Sequence, residues 1–506
     1  MAPFLFFLFP LLGLSFAEIS SKIGINYGRL GNNLPSANQS IELIRAMNAG
    51  RVKLYDADPE ILKLLSGTNL QVSIMVPNKE ISTIASDQTK ADEWVRNNVL
   101  PYYPETMIRY LLIGNEVLSY NSSDQDRQMW YDLVPAMSKI KSSLKSQNIT
   151  NIKVGTPLAM DALQSTFPPS KATFRADISD TVMAPMLRFL NRTRSFFFID
   201  VYPFFPWSSN PGNISLDFAL FTGNSTTEYT DPGTGLVYTN LLDQMLDSLI
   251  FAMTKLGYPN IRLLITETGW PSSGDIEQPG ANIHNAATYN RNLIHRMVAK
   301  PPLGTPARPG VVIPTFIFSL FDENQKTGPG TERHWGLLHA DGTLIYDVDL
   351  TGMVLKFLLP YKGVVWCVVA KGVSVNDEEL GSAVNNACIA GNASATCDAL
   401  SPGKECYEPV SLTWHASYAF SSYWAKFRSQ GATCHFNGLA EQTSLDPTSS
   451  STTNPAIQML RCPNIASLPS NPDEFELDFG LSRLSLPLLF YFFRQLSLSY
   501  ETQLKA

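Results

Sequence analysis

Two glutamates close apolar segments that have the pattern of buried strands. Glu116 follows the apolar run in LLIGNEVLSY, and Glu267 ends the run in RLLITETGWPSSG. A lone carboxyl group at such a position is often a structural ion pair or a helix cap. Two carboxyl groups in one cleft, one protonated and the other ionised, are the groups that cleave a glycosidic bond. The two segments therefore predict a catalytic pair if the fold brings them together.

Eight apolar or β-branched runs recur between residue 18 and about residue 350, with amphipathic helical patterns in most of the gaps. The helical patterns are clearest at 129–145, 239–257 and 286–300. Runs that are apolar on both faces indicate a parallel sheet covered by helices, and eight strand–helix units indicate an α/β fold, the (β/α)8 TIM barrel. No glycine-rich phosphate loop follows the first run, which argues against a dinucleotide-binding sheet. The runs are KIGINYG, RVKLYDA, LQVSIMV, IRYLLIG, IKVGTPL, FFFIDVY, IRLLITE and VIPTFIFSL.

A barrel would explain the positions of the two glutamates. Catalytic groups of (β/α)8 barrels lie at the carboxyl ends of the strands, where the βα-loops converge. Glu116 ends the fourth run and Glu267 ends the seventh, so both side chains are expected at the same face. Partial burial and a negative neighbour would raise the pKa of the acid, whereas hydrogen bonds would keep its partner ionised.

Six motifs spread over residues 22–350 resemble those of the plant endo-1,3-β-glucanases, glycoside hydrolase family 17. They are GINYGR, LYDAD, IGNEV, VYPFF, TETGWPSSG and FDENQKTGPGTERHWGLL. The resemblance implies cleavage of β-1,3-glucan, called callose in plants, by a retaining double displacement. It implies that Glu116 is the proton donor and later the general base, and that Glu267 is the nucleophile. Their carboxyl groups would then lie about 5 to 5.5 Å apart.

The same resemblance supplies candidates for substrate binding and support. The asparagine would contact the sugar 2-hydroxyl, the tyrosines would hold the nucleophile or a sugar hydroxyl, and the phenylalanines would pack on a pyranose ring. The charged residues would tune protonation and grip hydroxyl groups, unless they form a surface ion-pair network, and each aromatic could instead be core. Asp200 departs from the family, in which an asparagine is expected two places before the Tyr-Pro pair. The candidates are Asn115, Tyr55, Tyr202, Phe204, Phe205, Glu323, Lys326 and Glu332.

All six cysteines lie in the last third of the chain. An even, clustered number in an exported chain predicts a small disulfide-linked module, and a zinc site is the weaker alternative because no CxxC pair occurs. The segments WCVVAKGVS, CYEPVSLTWHASYAFSSYWAKF and ATCHFNGLA resemble the X8 domain, or carbohydrate-binding module family 43, over residues 365–463. Spacing alone leaves fifteen connectivities open. The resemblance implies the pairs Cys367–Cys434, Cys388–Cys397 and Cys406–Cys462, and a β-1,3-glucan surface with Trp366, Tyr418, Phe420 and Tyr423 as candidate stacking rings.

Both ends of the chain carry targeting patterns. Residues 1–17 form a short apolar run that ends in Ser-Phe-Ala, which predicts a secretion signal rather than a membrane anchor. The last segment joins a polar spacer to an apolar tail and resembles a glycosylphosphatidylinositol (GPI) anchor signal with a site near Ser470; the alternative is a simple tail on a freely secreted protein. Seven glycosylation sequons fit export, at Asn38, Asn121, Asn148, Asn191, Asn213, Asn224 and Asn392.

These patterns divide the chain into a signal (1–17), a barrel (18–350), a linker (351–364), an X8 domain (365–463) and a spacer with an anchor signal (464–506). The formal net charge is −7 with interspersed signs, which argues against nucleic acids and acidic polymers as partners. We expect a monomeric hydrolase that needs no metal or cofactor, in the cell wall or at the outer face of the plasma membrane. The alternatives are a non-catalytic glucan-binding wall protein and a hydrolase of mixed-linkage glucan.

Overall fold

The computed structural model describes residues 22–120, 123–275 and 277–352, followed by parts of the cysteine-rich region. Those parts are 366–370, 376–389, 397–402, 404, 407, 411–428 and 432–443. The predicted secretion signal, most of the predicted linker and the predicted anchor signal lie outside the described residues. So do Asn121, Asn392, Cys406, Cys462 and Ser470.

In the first three of these ranges, eight parallel strands form one sheet. In chain order they are β1 (Gly24–Asn26), β2 (Arg51–Lys53), β3 (Gln71–Val76), β4 (Ile108–Ile113), β5 (Lys153–Gly155 and Pro157–Ala159), β6 (Phe196–Asp200), β7 (Arg262–Thr268) and β8 (Thr315–Ile317). Their order in the sheet is β5-β4-β3-β2-β1-β8-β7-β6-β5. The first segment of β5 pairs with β4 and the second with β6, so the sheet closes on itself. The predicted (β/α)8 barrel is confirmed.

Helices cover the sheet, and the three helical patterns of the sequence are confirmed. Ser123 caps the helix over the first pattern in a capping box, in which its hydroxyl accepts from the Asp126 amide and the Asp126 carboxylate accepts from the Ser123 amide. The side chains of Asn240 and Asn282 cap the other two helices. In chain order the described barrel helices are Ala37–Ala46, Pro59–Leu64, Ile81–Ser86, Gln88–Asn98, Asp124–Ser146, Ala176–Ile178, Ala184–Thr193, Phe204–Ser209, Leu216–Ala219, Leu241–Lys255 and Ile283–Val298.

Alternate residues of the strands fill the inside of the barrel. Tyr110 and Leu112 of β4 belong to a buried cluster with Phe196, Phe198 and Phe316. The Tyr110 ring meets the three phenylalanine rings edge-on, with centroids 6.0 to 6.3 Å apart. Because this cluster closes the barrel interior to water, polar groups at the strand ends lie over an apolar floor.

The cysteine-rich region forms a second, smaller module. Its strand Trp366–Val369 pairs antiparallel with Ala440–Thr443, and its helices Asp377–Ile389 and Leu412–Phe427 pack against each other. Two of the three implied disulfides, Cys367–Cys434 and Cys388–Cys397, are confirmed. The third implied pair lies outside the described residues.

The described surface displays five of the seven predicted sequons. Each of the five asparagines is exposed, so a glycan can be attached there without unfolding the barrel. No helix in the described ranges combines the length and the apolar character of a membrane span. The five asparagines are Asn38, Asn148, Asn191, Asn213 and Asn224.

Candidate active site

A cleft of about 960 Å³ opens at the carboxyl ends of the strands. Both predicted catalytic glutamates line this cleft. Of the eight barrel residues predicted to bind or support the substrate, seven line it as well, and Phe204 does not. Their motifs are far apart in the sequence, and the closed sheet brings the strand ends that carry them to one face. The seven are Asn115, Tyr55, Tyr202, Phe205, Glu323, Lys326 and Glu332.

Glu267, on β7, is held by three hydrogen bonds. The Lys53 ammonium and the Tyr55 hydroxyl each donate to its Oε1 over 2.6 Å, and the Tyr202 hydroxyl donates to its Oε2 over 2.6 Å. Burial favours a higher pKa, but the positive charge of Lys53 and these hydrogen bonds outweigh it and hold the pKa of Glu267 below its usual range. Glu267 is therefore the ionised carboxylate of the pair.

Glu116 follows β4 in a tight turn. Its own φ is 48°, in the left-handed region, and Gly114 has φ 68°. A Cβ on Gly114 would lie 2.6 Å from a methyl carbon of Ile81, so the turn requires glycine. Burial raises the pKa of Glu116 to about 7, and the negative charge of Glu267 contributes to the increase. A carboxyl group with this pKa holds a proton at mildly acidic pH and can release it to a leaving group.

Glu323, Lys326 and Glu332 line the cleft rather than the outer surface. Lys326 Nζ lies 3.7 Å from Glu323 and 3.9 Å from Glu332, and it stands 4.0 Å from the centre of the Phe318 ring. Glu323 is 3% exposed and accepts a hydrogen bond from the Leu30 amide over 2.7 Å. Burial raises the pKa of both glutamates. The alternative of a solvated ion-pair network is therefore not supported.

Aromatic rings form part of the cleft wall. The Tyr202 ring lies 4.9 Å from that of Trp335 and 5.5 Å from that of Phe205, measured between centroids. Phe205 lines the cleft and is 45% exposed, so its ring stays a candidate for packing on a sugar. Phe204, in contrast, is 1% exposed and packs against Trp270. The expectation that Phe204 meets a sugar is corrected, because its ring belongs to the core.

Lys53 is a residue of the site that the sequence motifs did not single out. It is fully buried at the end of β2. Besides bonding to Glu267, its Nζ lies 3.4 Å from Oδ1 of Asn115 and 4.6 Å from the centre of the Tyr55 ring. The signal was a lysine within the run RVKLYDA, because a buried strand accommodates a cation only beside an anionic or polar partner.

Arg29 is a second residue that the sequence did not single out. Its guanidinium pairs with Asp56 and, over 2.9 Å, with Asp58. Arg29 and Asp56 both line the cleft. Arg29 belongs to the GINYGR motif, and Asp56 and Asp58 belong to LYDAD. The opposite charges of these two motifs could have indicated the ion pairs from the sequence.

Asp200, which stands where an asparagine was expected, lies beside Glu267. It pairs in register with Glu267 across β6 and β7. The residue is 2% exposed, and its Oδ1 lies 4.0 Å from Lys53 Nζ. Burial and the negative charge of Glu267 hold the pKa of Asp200 well above its usual range.

The four candidate sugar-stacking rings of the X8 module have different environments. Trp366 is 7% exposed and Phe420 is fully buried, with its ring stacked 4.0 Å from that of Phe436. A buried ring has no face open to a sugar, so these two expectations are corrected and both residues are core. Tyr418 and Tyr423 are partly exposed and stay candidates.

Comparisons with known sequences agree with this geometry. The profile of glycosyl hydrolases family 17 matches residues 23–350, and that of the X8 domain matches residues 365–441. "Probable glucan endo-1,3-beta-glucosidase A6" of Arabidopsis thaliana is 62% identical over 440 residues, which are 85% of this chain and 90% of that protein. "Glucan endo-1,3-beta-glucosidase 13" of the same plant is 37% identical and covers 84% of this chain and 83% of its own length.

Solved structures resemble the barrel. CJP38, a β-1,3-glucanase and allergen of Cryptomeria japonica pollen, superposes with a TM-score of 0.61 at 40% identity and covers 65% of this chain and 99% of its own. One of two plant β-glucan endohydrolases described as having distinct substrate specificities gives 0.59 at 31% identity, over 65% of this chain and 100% of its own. The chain therefore belongs to family 17 of the glycosyl hydrolases and carries an X8 domain after its barrel.

Proposed function

We propose that this protein is an endo-hydrolase of 1,3-β-glucosidic linkages in β-1,3-glucan and that it retains the anomeric configuration. The observation that carries the proposal is the contrast between two carboxyl groups in one cleft. Glu267 is kept ionised by Lys53 and two tyrosines, whereas the pKa of Glu116 is raised to about 7. The names of the relatives, glucan endo-1,3-β-glucosidases, support β-1,3-glucan as the polymer.

The proposed reaction has two steps. In the first, Glu116 gives its proton to the glycosidic oxygen as the bond from C1 to that oxygen breaks, and a carboxylate oxygen of Glu267 bonds to C1. In the second, the Glu116 carboxylate takes a proton from water, which attacks C1 and releases Glu267. Lys53, Tyr55 and Tyr202 hold the nucleophile in position, and Phe205 and Asn115 contact the sugar.

The test is release of reducing ends from linear β-1,3-glucan. We expect activity in the wild type, background in Glu267→Ala, and wild-type activity in the control Glu93→Ala, whose side chain is 54% exposed. Background activity in the wild type would favour the non-catalytic glucan-binding alternative. Proton NMR of the first product should show the β-anomer; an α-anomer would contradict retention.

Mixed-linkage glucan is a second candidate substrate. The two plant endohydrolases of the structural comparison are described as differing in specificity, so membership of this fold does not by itself select the linkage. Initial rates and product sizes on linear β-1,3-glucan and on mixed-linkage glucan separate the two substrates. A higher kcat/KM on mixed-linkage glucan would overturn the proposed linkage.

We further propose that the X8 module binds β-1,3-glucan through Tyr418 and Tyr423 and that the protein is a secreted monomer of the cell wall, held by a GPI anchor near Ser470. We also propose the domain boundaries that were predicted from the sequence. Two modules on one polymer would lengthen residence by raising the effective concentration of each. Sedimentation with insoluble glucan tests the module, and we expect the double variant Tyr418→Ala/Tyr423→Ala to lose it. Release of the protein from membranes by a phosphatidylinositol-specific phospholipase tests the anchor.

A further inference from the structure

We infer that Lys53 decides which of three neighbouring carboxyl groups, Glu267, Asp200 and the partly buried Glu116, carries the negative charge, so that it is the positioning residue that makes Glu267 the nucleophile and leaves Asp200 neutral. The inference rests on the proposed function and deepens it. It assigns a role to Lys53 and explains the aspartate that stands where the family has asparagine.

The geometry places three acids around one cation. Glu267 from β7, Asp200 from β6 and Glu116 after β4 meet near Lys53, which is fully buried on β2. Lys53 Nζ is 2.6 Å from Glu267 and 4.0 Å from Asp200. Neighbouring carboxylates repel each other strongly where water is excluded, so one buried cation can stabilise one buried anion but not three.

Hydrogen bonding selects Glu267 over Asp200. Glu267 accepts three short hydrogen bonds, from Lys53 and from the two tyrosine hydroxyls. Among the described residues, neither carboxyl oxygen of Asp200 has a hydrogen-bond partner of normal geometry, although Thr266 lies close enough to lower its pKa slightly. An ionised carboxylate without donors is costly in a buried site, whereas a protonated one resembles an asparagine. Asp200 can therefore replace asparagine without adding a charge.

The tyrosines that face these three carboxyl groups add no charge. Burial and the charge of Glu267 raise the pKa of Tyr55 and Tyr202 well above the usual tyrosine value, so both stay neutral donors. Lys53, Glu116 and Glu267 act electrostatically on Asp200. Glu267 and Asp200 act on both tyrosines, Glu323 acts on Tyr55, and Tyr55 acts on Tyr202.

Removal of the Lys53 charge should move the pH dependence of catalysis. Lys53 lowers the pKa of both Glu267 and Glu116. Without the Lys53 charge both pKa values rise. In a plot of kcat/KM against pH, the acid limb is set by Glu267 and the alkaline limb by Glu116, so both limbs shift to higher pH. A purely structural role would reduce the rate without moving either limb.

The experiment measures kcat/KM against pH on soluble β-1,3-gluco-oligosaccharides with the full-length protein. We expect Lys53→Met to shift both limbs upward by about one pH unit or more, and to lose about tenfold or more in kcat/KM on the acid limb. Lys53→Arg keeps the charge and should keep the limbs. In Asp200→Asn both limbs should stay at the pH values of the wild type, whatever the maximal rate. Lys145→Met, at an exposed position, is the matched charge control.

A second readout isolates the nucleophile. A 2-deoxy-2-fluoro-β-laminaribiosyl fluoride loses fluoride from C1 as Glu267 bonds to that carbon, and fluoride needs little help from a proton donor. The pH dependence of inactivation, followed by the mass of the labelled protein, therefore reports the ionisation of Glu267. We expect its acid limb to move upward in Lys53→Met and to stay unchanged in Asp200→Asn.

Two results would overturn the inference: unmoved limbs in a folded Lys53→Met, or limbs that move to lower pH in Asp200→Asn, because the latter would mean that Asp200 carries a charge. If Lys53→Met does not fold, Lys53→Gln removes the same charge and should show the same upward shift of both limbs, and Asp200→Asn still tests whether Asp200 is neutral through the positions of its limbs. An inactive wild type would contradict the proposed function and this inference together, whereas an active wild type with unmoved limbs contradicts the inference alone.

Discussion

At the scale of single residues, the two predicted catalytic glutamates, Glu116 and Glu267, differ because their neighbours differ. Glu267 receives a cation and two hydroxyl donors. Glu116 is partly buried and faces the charge of Glu267, which favours its protonated form. Two environments thus give the same type of side chain two different protonation preferences, which the two proposed catalytic roles require.

Glu116→Gln should separate acid catalysis from nucleophilic attack. We expect a loss of about 10²- to 10⁴-fold in kcat on β-1,3-glucan, because the leaving oxygen is no longer protonated. A substrate with a dinitrophenolate leaving group should still form the glycosyl-enzyme, seen as a burst of the phenolate. Glu267→Gln is the comparison, and a burst in that variant would contradict the assignment of roles.

Protonation of Glu116 should also appear in stability. Between about pH 4.5 and 7 the folded protein binds a proton that the unfolded chain releases, so stability falls as pH rises through this window. Glutamine does not titrate, so the free energy of unfolding of Glu116→Gln lacks this decrease. Relative to the wild type, it should rise by up to about 3 kcal/mol from pH 4 to pH 8. Urea unfolding at both pH values measures this, with Glu93→Gln as control; a constant difference would show that the raised pKa is not a folded-state property.

At the scale of elements, the turns at strand ends set the precision of the site. The turn after β4 carries Glu116 in a left-handed conformation, and Gly114 lets the chain reverse beside Ile81. Gly28 plays a similar part after β1, since a Cβ there would lie 2.4 Å from a carboxyl oxygen of Glu323. Close approach therefore explains both glycines: to Ile81, Val117 and Asn78 at Gly114, and to the cleft residue Glu323 at Gly28.

Gly114→Ala should cost stability and activity together. Its Cβ would lie 2.6 to 2.8 Å from Ile81, Val117 and Asn78 in a backbone of positive φ, so we expect a loss of about 2–4 kcal/mol and a lower kcat. Gly67→Ala is the matched control, because Gly67 has φ 69° but no atom within 4 Å of the added carbon. It should cost about 1 kcal/mol and leave kcat unchanged. Equal losses in both variants would show that crowding at Gly114 is unimportant.

At the scale of the whole molecule, the barrel contains no cysteine, and the observed disulfides lie in the X8 region. No cysteine precedes Cys367. The barrel is stabilised by its closed sheet and apolar interior, whereas the small module has two observed disulfides, Cys367–Cys434 and Cys388–Cys397. A reducing agent should therefore destabilise the X8 module and leave the barrel unaffected.

Dithiothreitol should impair the module and spare the barrel. Loss of a disulfide that spans 67 residues typically costs about 2–5 kcal/mol, so the module should unfold at lower temperature while the barrel transition stays in place. Hydrolysis of soluble oligosaccharides should be unchanged, and retention on insoluble glucan should fall. Calorimetry and sedimentation measure the two effects; a matching fall in soluble-substrate activity would mean that the two parts are not independent.

The sequence by itself determined the eight strands, three of the barrel helices and the strand-end positions of Glu116 and Glu267. Those features depend on local periodicity and short motifs, and such signals extend over a few residues. The tertiary structure alone decided which charges and rings meet. Lys53 is 214 residues from Glu267 in the chain, yet their atoms are 2.6 Å apart. The burial of Phe204, Trp366 and Phe420 was equally undecided by sequence, because burial depends on neighbours that only the folded chain assembles.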